Sequence, residues 1–195
     1  LHAVRPTMRI HQLGEGTPEV AVVGGVHGDE PCGVRAIERL LAEDFEADVE
    51  RPVKLIVANE AALDREQRYV NEDLNRAFPG DPDADSHESR LAHDLARELR
   101  GCTTLSVHST QSYDEPFALV DGVDAVARSI CPQLPIEHVV DTGPFSEGRL
   151  IAFPHTVEVE AGLQGSEEAA DNAYWIVRAF LAATGVLALP MADVS

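Results

Sequence analysis

The stretch "VAVVGGVHGDEPCG", residues 20–33, runs an apolar segment into two glycines and then sets His27 and Glu30 three residues apart around Gly28. A continuous β-branched run bounded by glycine reads as a buried strand. Gly24, Gly25 and Gly28 let the backbone turn sharply off that strand, so an imidazole and a carboxylate can converge on one point. The helical pattern "CGVRAIERLLAE" (32–43) follows directly. Strand, glycine turn and helix in this order are the building unit of an α/β sheet.

The rest of the chain repeats the alternation. Strands are expected at 19–25, 52–59, 102–109, 116–120, 136–140 and 155–162. Helical patterns cover 32–43, 87–100 behind Ser86, and 167–184 behind Ser166, with Glu167 and Glu168 in the first turn. The fold class is therefore α/β, three-layer αβα with a mostly parallel or mixed central sheet. Residues 59–85 are polar, charged and aperiodic, which in a compact domain marks a functional loop. Ligands in such sheets bind beyond the carboxyl ends of strands, where His27, Asn59, His108 and Glu160 all fall.

With 195 residues and 44% hydrophobic content, the chain suits one globular domain, 1–195. Residues 1–7 read as a leader or cloning remnant before Met8, and there is no secretory signal pattern. No apolar run approaches the roughly 20 residues that cross a bilayer. The 34 acidic against 15 basic residues give a net charge of −19, which argues against nucleic-acid binding. Lys54 is the single lysine. This acid-rich, arginine-biased balance suits a salt-rich cytoplasm, where surface repulsion is screened within roughly 3 Å at 1 M salt. Cys32, Cys102 and Cys131 are too widely spaced for a disulfide framework or a CxxC metal knot and read as reduced, packed thiols.

A histidine followed three residues later by an acid is weak evidence alone, since this composition supplies roughly one such pair by chance. His155 and Glu158 form a second copy, but within a strand residues three apart face opposite sides of the sheet. The first copy has the glycine turn. A hydrolytic zinc ion needs three protein ligands and an open position, and two histidines with a glutamate are an established set. His27 and Glu30 supply two ligands, and His108 in "LSVHST" is the best-placed third. A general base is also required, and "HTVEVEAG" offers Glu158 and Glu160 on one face of a strand.

Four ordered segments, "GGVHGDE" (24–30), "NEAALDREQRYVNEDLNRAFPG" (59–80), "VHST" (107–110) and "VEVEAG" (157–162), together make the chain resemble the succinylglutamate desuccinylase/aspartoacylase family of the zinc carboxypeptidase clan. The resemblance implies a zinc-carboxypeptidase-like fold and an amidohydrolase that removes the acyl group from an N-acyl amino acid, with one Zn2+ per chain on His27, Glu30 and His108. It further implies that Arg68 polarises the scissile carbonyl and that Asn75 and Arg76 hold the substrate carboxylate, with Arg149 a further substrate-binding arginine. The family spacing of a glutamate, one residue and a glycine selects Glu160 as base, whereas aligning on Phe153-Pro154 selects Glu158. Ser106 stands where the family often has an aspartate, and no separate C-terminal domain is expected.

Other readings of the residues stay open: a small zinc carboxypeptidase or peptide amidase on the same core, a nucleotide-binding module using "GGVHGDEPCG" as a phosphate loop, and an inactive zinc-binding domain. The expected partner is a small N-acyl amino acid or short peptide, with neither nucleic acid nor membrane, and a homo-oligomer is compatible with the sequence.

Overall fold

The computed structural model describes residues 7–188; residues 1–6, most of the expected leader, and 189–195 lie outside the described residues. The central sheet has seven strands: β1 (Arg9–Leu13), β2 (Val20–Gly24), β3 (Val53–Val57), β4 (Thr103–Thr110), β5 (Phe117–Val120), β6 (His138–Asp141) and β7 (Thr156–Leu163). Their spatial order is β1-β3-β2-β4-β7-β5-β6. The four pairings β3–β2, β2–β4, β4–β7 and β5–β6 are parallel, while β1 meets β3 and β5 meets β7 antiparallel. The sheet is therefore mixed with a parallel centre.

Helices cover both faces. On one side α1 (Cys32–Ala42), α4 (Ala125–Ile130) and α5 (Glu167–Ala183) pack against alternate strand residues such as Val22, Leu105, Val107, Val157 and Val159. Ile37, Leu40, Ile176 and Phe180 are fully buried there. The other side carries α3 (His87–Glu98), whose Leu91 and Leu95 pack with Ala21, Val23 and Ile56. Burial on both faces is why β2 reads as a continuous apolar run and not as an alternation. Ser86 and Ser166 cap α3 and α5 by accepting from the N–H groups of Ser89 and Ala169, as their positions led one to expect.

The structure adds elements that periodicity does not reveal. β1 is an edge strand with mostly exposed side chains, and α2 (Glu60–Leu63) is a single turn inside the 59–85 loop. Asn59 starts that turn, its side chain accepting from Ala62 N–H. His155 falls before β7, not within it, with φ of 59°, and its exposed ring faces Asp124. Its expected partner in the second His–acid copy, Glu158, is buried in the strand, so the two diverge. All three cysteines are free and buried. Among the described residues no helix is long and apolar enough to cross a membrane.

Candidate metal centre

His27 and Glu30 lie in the turn leaving β2. Gly25 adopts φ of +69°, a left-handed conformation that disfavours any residue with a Cβ. A Cβ on Gly28 would overlap the Ala62 carbonyl. Backbone therefore meets backbone here, and Gly28 N–H donates to Arg68 O at 3.3 Å. His108 arrives from the carboxyl half of β4, two strand residues beyond Ser106 and on the same face.

The three expected ligands meet. His27 Nδ1 lies 2.9 Å from Glu30 Oε1, and His108 Nδ1 lies 3.0 Å from Glu30 Oε2. One donor atom from each residue falls within 4.8 Å of the others, and all three side chains are buried. The outer ring nitrogens have partners too. His27 Nε2 is 2.8 Å from Asp73 Oδ1, and His108 Nε2 is 3.0 Å from Ser106 Oγ. Arg68 bridges the cluster, donating from Nη1 to Glu30 Oε1 at 3.2 Å and from Nη2 to Asp73 Oδ2 at 3.1 Å.

Charge follows from this packing. Burial opposes ionisation of Glu30, yet hydrogen bonds from His108 and His27 hold its carboxyl well below the usual carboxylate range. Asp73 is likewise held low, against its own desolvation, by His27 and Arg68. Glu160 behaves oppositely: burial lifts it to about 7, and Glu158 and Glu30 add to the rise against the pull of His108. Its Oε2 is buried with no hydrogen-bond partner among the described residues. Residues His108 and Glu160 are paired across the parallel β4–β7 ladder, which puts this unpartnered oxygen on the strand next to the imidazoles. Two imidazoles with their Nδ1 atoms turned toward one glutamate, beside an unsatisfied carboxylate oxygen, make a donor set that suits a divalent cation.

The 59–85 loop covers the same face. Asn75 is buried, donates from Nδ2 to Glu158 Oε2 at 3.1 Å and accepts at Oδ1 from Leu150 N–H at 2.9 Å. Arg76 is exposed and donates to the Asn75 carbonyl at 2.7 Å. The segment around Arg149 runs alongside, with Gly148 O accepting from Phe78 N–H at 3.1 Å, and Arg149 Nε is buried without a partner among the described residues. The structure thus brings Arg68, Asn75, Arg76 and Arg149 to one side of the sheet. Asn59, also at a strand end, is committed elsewhere: its Nδ2 donates to Glu88 at 3.1 Å and its Oδ1 contacts His87.

Sequence reasoning missed the contacts made by three carboxylates. Asp73 sits inside "DLNR" and was legible there only as a local acid beside the arginines. Glu88, fully buried on α3, accepts from the backbone N–H groups of Val70, Asn71 and Glu72 at 2.6, 2.9 and 3.3 Å and so clamps the loop. Glu158, first read as a rival base, faces Asn75. Two surface cavities, of about 410 and 800 Å3, lie near Cys102 and Thr156 and around Trp175, away from the His27 cluster.

Comparison with known proteins agrees with this geometry. Residues 16–114, just over half of the chain, match the family model of the succinylglutamate desuccinylase/aspartoacylase catalytic domain. That range includes His27, Glu30, Arg68 and His108 and ends before Glu160. The succinylglutamate desuccinylase of Pseudomonas aeruginosa (strain LESB58) is 33% identical in an alignment 87 residues long that covers 37% of this chain and 26% of that protein. The aspartoacylase of Rattus norvegicus is 31% identical over 113 residues, covering 54% of this chain and 34% of its own. The ectoine utilization protein EutE (DoeB) from Ruegeria pomeroyi, solved with product bound, superposes with a TM-score of 0.80 at 22% identity, over 94% of this chain and 62% of that one. The chain therefore spans about a quarter to a third of these curated relatives and under two thirds of the solved neighbour, whose likeness bears on fold.

Proposed function

The chain belongs to the succinylglutamate desuccinylase/aspartoacylase family, and from that premise we propose that it is a zinc-dependent deacylase hydrolysing the amide bond of an N-acyl amino acid. The observation that carries the reading is the convergence of His27, Glu30 and His108 beside the unpartnered oxygen of Glu160. Two strands of one sheet and the turn leaving a third bear these residues, in keeping with a single catalytic domain.

His27, Glu30 and His108 would hold one zinc ion per chain. When bound, zinc supplies Lewis acidity and makes water acidic enough to attack at neutral pH. Glu160 is the general base. A carboxyl lifted to about 7 is matched to taking a proton from water and returning it to the leaving amine nitrogen. Arg68 gives up its contact with Glu30 and turns a guanidinium N–H to the amide oxygen as negative charge develops there, while Asp73 keeps it oriented. Arg76 and Arg149 bind the substrate carboxylate, since a guanidinium can grip both its oxygens. Asn75 adds the N–H that Glu158 leaves free.

Elemental analysis of the purified chain tests the premise, with about one zinc per chain expected. Assay of N-acyl amino acids beside C-terminal peptides, in high salt to suit the acid-rich surface of a cytoplasmic halophile, should show release of the free amino acid from the former. A chain that takes up no zinc, or that binds it and cleaves neither class, sinks the proposal.

A further inference from the structure

Glu158 stands two residues before Glu160 on β7, and its surroundings differ. Its side chain is 1% exposed, and Oε2 accepts from Asn75 Nδ2 at 3.1 Å while lying 3.6 Å from His108 Nε2. A carboxylate this deep is strongly disfavoured unless its oxygens meet donors or positive charge. Asn75 and the His108 ring supply them. Asn75 is itself pinned, because its Oδ1 accepts from Leu150 N–H at 2.9 Å. The result is a fixed chain from the Leu150 backbone through Asn75 and Glu158 to the outer edge of His108.

The inner edge of that ring faces Glu30 through Nδ1. An imidazole that binds a cation through one nitrogen must carry its proton on the other, and an acceptor or negative charge beside that other nitrogen fixes both tautomer and ring orientation. His27 has such a partner in Asp73, 2.8 Å from its Nε2. On His108 the direct contact at Nε2 is only a hydroxyl, Ser106 Oγ at 3.0 Å. The negative charge comes from the next strand, because the β4–β7 register sets Glu158 opposite Ser106.

We propose that Glu158 is the positioning residue of His108: held by Asn75 and acting together with Ser106, it keeps the ring proton on Nε2 and so leaves Nδ1 directed at a divalent cation. This rests on the reading of His27, Glu30 and His108 as metal ligands. Glu158 and Glu160, alike in sequence, then divide the work between orienting a ligand and moving a proton.

The test is zinc affinity, measured by chelator competition on the full chain. Glu158→Gln should bind zinc roughly 10- to 100-fold more weakly than the parent. Adding Ser106→Asp to Glu158→Gln restores a carboxylate at the same nitrogen and should recover most of the loss. Unchanged affinity in Glu158→Gln, or a double variant no tighter than the single one, overturns the role while leaving the metal site standing. A parent chain with no measurable zinc affinity ends both readings together. Because Glu158→Gln alters a buried network, the unmutated protein loaded with 113Cd gives an independent measurement by imidazole 15N correlation spectroscopy. Cadmium coupling at His108 Nδ1 with the proton on Nε2 is expected, and coupling at Nε2 overturns the proposal.

Discussion

Glu88 and Glu160 are both carboxylates held away from water on the same face of the sheet, and the protein treats them in opposite ways. Glu88 collects three backbone N–H groups and the Asn59 amide, so its charged form is favoured and its pKa lies below the ordinary value despite burial. Glu160 keeps one oxygen without a partner and is lifted to about 7. A buried carboxylate saturated by fixed donors behaves as a clamp. One left short of donors is poised to exchange a proton.

The sharpest way to break this contrast is Glu160→Ala, which should lower turnover roughly 10^2- to 10^4-fold while zinc content and melting temperature hold. Near-normal rates at full metal occupancy would remove Glu160 from the role of base. Glu88→Ala should act on stability instead, costing about 2–4 kcal/mol because three backbone N–H groups and the buried Asn59 amide lose their acceptor at once. Chemical denaturation reads that loss, and limited proteolysis should open residues 70–72 first. The third test is acid. Since the Glu88 pKa is depressed in the folded state, its contribution is present above its ordinary value, about 4.5, and is lost as pH falls below that toward the folded value. Glu88→Gln should therefore flatten the acid limb of the stability curve. The smallest effect belongs to the surface: Arg35→Ala removes an exposed pair with Glu167 at 2.9 Å and should shift stability by no more than about 1 kcal/mol.

The same contrast explains what could be read from sequence. The turn after β2 was legible because an apolar run, three glycines and two ligand-type residues lie within a dozen positions. The longer helices α1, α3 and α5 announced themselves by periodicity, the last two behind serine caps, whereas the six-residue α4 did not. β1 was not, since RIHQL at an edge has mostly exposed side chains and no long apolar run. Nothing in the sequence singled out Glu88, because the donors it collects are 16 to 18 residues earlier in the chain, with Asn59 further still. Glu158 and Glu160 have the same spacing relative to the strand, so their sequence positions alone could not separate them. The β4–β7 register and Asn75, 83 residues away, do.

The close approach of Gly28 to Ala62, reinforced by the bond from Gly28 N–H to Arg68 O, carries a practical lesson for protein engineering. Grafting the HGDE turn alone onto another α/β scaffold would transplant two candidate ligands without the wall they lean on. Residues 59–73 have to travel with it as one cassette, and a library that varies either piece must vary its mate.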